Sequence, residues 1–298
     1  MVNKVLLAQA PEFGKIVVKI SSADENPFIR EFMNLKFLKN LNFPVPEPVY
    51  TGELPGDRIV NPDFIEAQVK IAESDQRKKL FILAEQYIEG SNLAQAHLNG
   101  SDSIYLQKEM AERLAELHLS KTNPFTGEPF EKYGDPFSGE LHETWEEFFS
   151  KKMEIEVRNC QKNEKLPENY IQKALQIKEN VKRLLKRKYS FPAPVHGDVW
   201  ATNVMVSREN NKWHLKAFLD PSTVIADIEY ELAYLLIFGT AGEHFLKRYS
   251  QFIPIEEGFE FRKLVYWLHT MLIHVNFFGD AHYVRFSKQL IDVIHAHL

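Results

Sequence analysis

Pro194-Val195-His196-Gly197-Asp198-Val199-Trp200-Ala201-Thr202-Asn203-Val204-Met205-Val206, followed by Phe218-Leu219-Asp220-Pro221, is the stretch on which the fold turns. Gly197 opens a tight loop that presents Asp198. Asn203 comes five positions later, where the loop enters the β-prone run Val204 to Val206. Asp220 closes a second run, Lys216 to Leu219, and the polar turn Arg208 to Lys212 joins the two. Such a hairpin brings Asn203 and Asp220 close together. Two hard oxygen donors on neighbouring strand ends suit Mg2+, which takes few protein ligands and completes its shell with phosphate and water. Asp198 stands apart from that pair, free to accept a proton from a hydroxyl. Taken singly, His-Gly-Asp reads as a turn and Asp-Pro as a loop start, because Asp and Gly are common turn residues. The joint spacing is far less expected by chance.

That layout matches phosphoryl-transfer sites, which set an Asp in a loop, an Asn at the same offset and a metal-binding Asp after it. Upstream residues extend the match. Val5 to Ala8 and Ile16 to Ile20 are strand-like runs with Gly14 in the turn between them, a second hairpin. Phe28, Phe32, Leu35 and Leu38 recur at helical spacing, and Pro44, Pro46 and Pro48 forbid the helix from continuing. A kinase needs a cation on the nucleotide phosphates, held by a helix carboxylate. Lys19 ends the second strand and Glu31 lies on the following helix. Alone, each reads as a solvated charge; in this chain order the ion pair is the better reading. Val49 to Thr51 resumes as a strand, Glu53 to Lys79 reads as a polar surface excursion with weak strand character near Phe64 to Val69, and Leu80 to Ala84 as a buried strand. Glu85-Gln86-Tyr87-Ile88-Glu89-Gly90 then falls where a nucleotide hinge belongs, with backbone groups around Gln86, Tyr87 and Ile88 holding adenine. The turn Ala8 to Gly14 carries a single glycine, so close phosphate approach by several amides is not evident there.

The remainder reads as mostly helical. Apolar residues repeat at helical spacing through Leu106 to Leu117, Ala174 to Leu185, Leu232 to Leu236, Val265 to Val275 and Leu290 to Ile294, with an ordered loop over 120–142. The pattern is a small strand-rich lobe, residues 1–90, feeding a larger helical lobe, residues 91–298. The chain has 298 residues, 44% of them hydrophobic, which excludes global disorder. Lys plus Arg number 36 and Asp plus Glu 41, giving net charge −5, so nothing draws the chain to nucleic acid or anionic lipid. One cysteine, Cys160, excludes an internal disulfide and a multi-cysteine zinc site. No window reaches the ~18 apolar residues of a membrane span. The start MVNKVLLAQAPEFGK lacks the apolar run of a signal peptide, so a soluble cytoplasmic protein is expected.

With these residues in place, the sequence resembles the fructosamine kinase (ketosamine kinase) family, within the aminoglycoside-phosphotransferase-like kinases. His196-Gly197-Asp198-Val199-Trp200 is similar to the family's His-Gly-Asp-Leu-Trp, and Asp220-Pro221-Ser222 to its Asp-Pro-Ala. Asp227-Ile228-Glu229-Tyr230-Glu231-Leu232-Ala233 resembles its Asp-Arg-Glu-x-Asp-Leu-Ala, and Arg262, His269, Asn276, Phe278, Gly279 and Tyr283 resemble its last helices. Departures are Ala201-Thr202 for Ser-Gly, Ala226 for Gly and Glu231 for Asp. None removes a proposed carboxylate, Lys or Asn.

The resemblance implies an α+β, protein-kinase-like, two-lobed fold and an ATP- and Mg2+-dependent phosphotransferase acting on a sugar hydroxyl of a ketosamine. Asp198 is then the base, Asn203 and Asp220 hold the metal, and Lys19 and Glu31 serve the nucleotide. Trp200, two residues from the base, is expected to stack on the sugar. Asp227 is expected to cap the helix that starts there. Glu229 stands between capping and contact with a substrate amine, and counts among the substrate candidates. Asp220 precedes Pro rather than Phe-Gly, and proline restricts a regulatory flip of this loop, which favours a small-molecule kinase over a protein-phosphorylating switch. Glycated protein is a second candidate acceptor, and a monomer is expected. The alternatives are an aminoglycoside or choline-type phosphotransferase and, from another class, a pseudokinase that binds nucleotide without turnover.

Overall fold

The computed structural model describes residues 4–54 and 79–298; the expected excursion over 53–79, with its strand near Phe64 to Val69, lies almost wholly outside them. In chain order the elements are β1 (Lys4–Ala10), β2 (Gly14–Ala23), α1 (Ile29–Asn40), β3 (Pro48–Glu53), β4 (Lys79–Gln86), β5 (Ser91–Asn92), α2 (Gly100–His118), β6 (Tyr133–Gly134) and β7 (Leu141–His142). Then come α3 (Trp145–Lys162), α4 (Glu168–Glu179), α5 (Val181–Leu184), β8 (Ala193–Val195), β9 (Val204–Glu209), β10 (Lys212–Phe218) and β11 (Val224–Ala226). The chain closes with α6 (Ile228–Ile237), α7 (Glu243–Tyr249), α8 (Phe259–Phe277) and α9 (Ala281–His295). The class is mixed α+β. Two compact units form: Met1–Ala96 with Asn203–Ser222, and His97–Thr202 with Thr223–Leu298.

The hairpin β9–β10, which in sequence lies inside the second part, therefore groups with the first unit. Its bonds give the reason. Ser91 and Asn92 pair with Val206 and Met205, the Phe218 amide donates to the Pro44 carbonyl at 2.7 Å, and the Phe218 ring stacks on Phe43 at 4.8 Å. The other sheet of this unit is antiparallel, in the order β1-β2-β4-β3. Val17 lies directly opposite Glu85 and Lys19 opposite Leu83. Because side chains alternate with period two, Val17, Lys19 and Glu85 share one face of the sheet. Helix α1 buries Leu35, Phe37 and Leu38 and ends at Leu41; Asn42 turns the chain left-handed (φ 59°) before the prolines.

The second unit is helical around a small sheet in the order β7-β6-β11-β8. Its core is aromatic: Trp145, Phe149, Tyr230 and Tyr266 cluster with centroids 5.2–6.4 Å apart, and the Trp145 indole donates to the Tyr266 hydroxyl at 3.1 Å. Three sequence expectations change here. The helix expected through Ala174 to Leu185 is two, α4 and α5, parted at Asn180. The loop over 120–142 contains β6 and β7. Helix α3 was not read from periodicity, although its start is signalled: Thr144 accepts from the Glu147 amide, the Thr-x-x-Glu capping pattern.

Candidate active site

In the first unit the shared face of β2 and β4 places a cation among carboxylates. The Lys19 ammonium pairs with Glu31 from α1 and with Asp220 beyond β10, and lies 3.2 Å from Glu85 on β4. Lys19 and Glu85 are both buried. Burial opposes the Lys19 charge, but Glu85, Asp220 and Glu31 together hold its pKa above the ordinary lysine value. The carboxylates carry the reciprocal cost. Burial pushes Glu85 up to about 7 against the pull of Lys19, and raises Glu31 for the same reason. Glu85 was read from sequence only as the edge of the hinge. Its place beside Lys19 follows from strand alternation and the β2–β4 register, which the chain reveals only once paired.

A cavity of about 270 Å³ opens beside this cluster, walled by Val5, Val17 and Met205 and bounded by Gln86, Tyr87 and Ile88. The residues expected to form a hinge thus line one cavity. Their amides are not equivalent. Gln86 donates to Glu47 at 2.9 Å and Tyr87 to Lys15 at 3.2 Å, whereas the Ile88 amide has no partner among the described residues. Of the three, Ile88 is the amide open to a ligand. An apolar slot with a few convergent polar groups is the usual form of a small-molecule site.

The hairpin does draw the two metal candidates to one place. The Leu219 amide donates to the Asn203 carbonyl at 2.7 Å, which sets Asp220 one residue from that bond. Asp220 is left-handed (φ 53°), a region Asp tolerates better than most residues, and the following Pro221 carbonyl accepts from buried Asn34 at 2.7 Å. The side chain of Asp220 is about half exposed. Carboxylate oxygens of Glu31, Glu85 and Asp220 lie within 4.8 Å of one another. The Lys19 ammonium already sits among these oxygens, so the metal candidates stay Asn203 and Asp220, whose side chains offer the hard oxygen donors that suit a divalent ion such as Mg2+.

In the second unit the loop after β8 is braced from α6. Both oxygens of Glu231 accept from the loop, from the Gly197 amide at 2.6 Å and the His196 amide at 3.2 Å. Glu231 also accepts from His118 Nε2 at 2.8 Å, and the other ring nitrogen, Nδ1, is hydrogen-bonded with the Tyr249 hydroxyl at 2.6 Å. Burial acts to raise Glu231, but His118, the His196 ring and the Gly197 amide outweigh it, so its carboxyl sits below the usual range. Wholly buried His196 accepts from the Asp198 amide at 3.2 Å, a bracing role. The half-buried Asp198 carboxylate accepts from the Tyr234 hydroxyl through Oδ1. Burial and the Asp198 charge hold that phenol far above its ordinary pKa, so it stays a donor. Neither Tyr234 nor Glu231 stood out in sequence as a support of the loop; their helical spacing, three residues apart, was the available signal.

Trp200 is 41% exposed, so it is a surface aromatic rather than part of the core. Asp227 caps α6 through the Glu229 amide at 2.8 Å and also accepts from Arg187. Glu229 is a correction to the sequence reading. It is fully buried, and Arg262 occupies both oxygens at 2.6 and 2.7 Å, which leaves none for a substrate amine.

Comparison with known proteins agrees with this geometry. The family model described as fructosamine kinase matches residues 9–297. Among curated relatives, the probable ketoamine kinase of Enterococcus faecium is 28% identical over 59% of this chain and 63% of its own length. That of Thermus thermophilus is 28% identical over 58% of this chain and 62% of its own. The chain thus spans under two thirds of the length of these relatives. Mouse ketosamine-3-kinase is 26% identical over 90% of this chain and 84% of its own length. The crystal structure of a protein assigned as a fructosamine-3-kinase from Haemophilus somnus superposes with a TM-score of 0.72 at 21% identity, covering 98% of this chain and 87% of the other. The gentamicin complex of APH(2")-IIa gives 0.60 at 19% identity, over 96% and 87%. At such identities the structures attest the fold. Because the family match takes in both units almost end to end, the chain belongs to the fructosamine kinase family.

Proposed function

We propose that the chain is an ATP-dependent kinase that phosphorylates a sugar hydroxyl of a ketosamine, a sugar joined to an amine. The observation that carries this reading is the buried Lys19 ammonium, held by Glu31, Glu85 and Asp220 beside the hinge-bounded cavity. The cavity receives the adenine, with the Ile88 amide as donor to the base. Lys19 neutralises phosphate charge. Asn203 and Asp220 are the residues that would hold Mg2+, which when bound supplies further charge neutralisation on the phosphates.

Asp198 accepts the proton of the acceptor hydroxyl. The hydroxyl oxygen forms a bond to the γ-phosphorus, the bond from that phosphorus to the β,γ-bridging oxygen breaks, and ADP leaves. Tyr234 orients the carboxylate through Oδ1. The exposed indole of Trp200 supplies a stacking face for the sugar. The ketosamine assignment is supported by the family and by mouse ketosamine-3-kinase, whose name states that acceptor. Free and protein-bound ketosamines are both acceptors in this reading; protein deglycation is its cellular outcome once the phosphorylated sugar is released from the amine in a separate cleavage of their carbon–nitrogen bond. A cytoplasmic monomer is part of the same reading; the single cysteine, Cys160, suits the reducing compartment it names. No helix among the described residues is long and apolar enough to cross a membrane.

The test is ADP release with fructoselysine, ribuloselysine, an aminoglycoside and choline in parallel. Turnover of a ketosamine is expected; turnover of choline or the aminoglycoside alone would reassign the acceptor, and nucleotide binding without turnover of any would mark a pseudokinase. Asp198→Ala should lower kcat by about 10²- to 10⁴-fold while leaving ATP affinity unchanged by calorimetry. A variant with near-normal kcat would show the base to be misassigned.

A further inference from the structure

Glu85 holds an unused acceptor in a place where one is costly. The residue is only 4% exposed, and while Oε1 faces the Lys19 ammonium at 3.2 Å, Oε2 has no hydrogen-bond partner among the described residues. Buried polar atoms in native proteins are nearly always satisfied, so an orphaned carboxylate oxygen marks a position completed by something else. Glu85 lines the cavity bounded by Gln86 and Ile88, on the same sheet face as Val17 and Lys19. An ionised carboxylate accepts and never donates. The group that completes it must therefore bring an N–H or O–H into the cavity.

We propose that Glu85 reads the nucleobase, its Oε2 accepting a hydrogen bond from the amino group of the base held in this cavity. The assignment rests on the nucleotide reading above and adds a specificity determinant to it. The pattern is complementary to the amino-pyrimidine edge of adenine, which sets a donor, the 6-amino group, beside an acceptor, N1. Glu85 Oε2 offers the acceptor and the Ile88 amide, without a partner among the described residues, the donor. A purine lacking the amino group leaves Oε2 buried and unsatisfied in the complex, as in the free protein, and so forfeits the bond.

The experiment compares equilibrium binding of ATP and purine riboside 5′-triphosphate, which differ only in the 6-amino group, at pH 8 with Mg2+. Unmodified protein, Glu85→Gln and Glu85→Met are measured side by side. The unmodified protein should bind ATP about tenfold or more tightly than the deamino analogue. Glu85→Gln retains a carbonyl oxygen and should keep a preference; Glu85→Met removes the acceptor and should bring the ratio to about one. Both variants take the same charge from Lys19, so the difference between their ratios reports the acceptor alone. A ratio near one in the unmodified protein, or an undiminished ratio in Glu85→Met, overturns the assignment of Glu85 and leaves the kinase reading standing. Failure of the unmodified protein to bind either triphosphate overturns both.

Discussion

An ionised carboxylate at position 85 costs the fold free energy, and the sign of its pH dependence follows. The folded pKa near 7 lies above the ordinary 4.5, so the fold favours the protonated form. The stabilising contribution of that proton is full below about pH 4.5 and is lost as pH rises to about 7. Glu85→Gln mimics the protonated side chain. It should match the unmodified protein near the lower pH and exceed it at pH 8 by on the order of 3 kcal/mol, read by denaturant unfolding at both. A variant less stable at pH 8 would show that Lys19 repays the burial in full. Tyr234 is the second residue whose effect is separable. Tyr234→Phe keeps the ring contact with Phe238, 5.0 Å between centroids, and removes only the hydroxyl on Asp198. A fall in kcat of about tenfold with unchanged ATP affinity is expected; equal kcat would remove Tyr234 from the site.

Between elements, the segment that follows β4 ends in one close approach. Gly90 has φ 140°, and a Cβ there would stand 2.2 Å from the Val206 carbonyl oxygen of β9. That contact sits beside the pairing of Ser91 with Val206, which ties β5 to the hairpin carrying Asn203. Gly90→Ala has no room without separating these strands. It should destabilise the protein by at least ~2 kcal/mol, seen as a lower midpoint in thermal unfolding. An unchanged midpoint would mean that β5 shifts freely.

Across the whole molecule the lasting distinction is between charges beside a cavity, as at Lys19, and charges sealed within the fold. Arg187, Asp227, Glu229, Glu256 and Arg262 form a buried network in the second unit that joins α6 to α8 and the segment after α5. Arg262→Met would leave Glu229 buried and short of its bidentate partner, at a cost of about 3–5 kcal/mol. Denaturant unfolding followed by far-ultraviolet circular dichroism would measure it, and a loss under about 1 kcal/mol would contradict the structural role. In sequence, Glu229 was indistinguishable from a substrate contact, because its partner lies 33 residues away. Local periodicity suffices for strands β1 to β4, helix α1 and most helices of the second unit, since burial repeats every two or 3.6 residues within each segment. Motif spacing suffices to nominate Lys19, Glu31, Asp198, Asn203 and Asp220 as candidates, and the fold brings Lys19, Glu31 and Asp220 into contact. The grouping of the 203–222 hairpin, the bracing of the loop by Glu231 and Tyr234, and the turn of Glu85 towards Lys19 were settled only by the folded chain. Each depends on a pairing between residues distant in sequence, up to 201 positions apart for Lys19 and Asp220, and no local pattern encodes such a meeting.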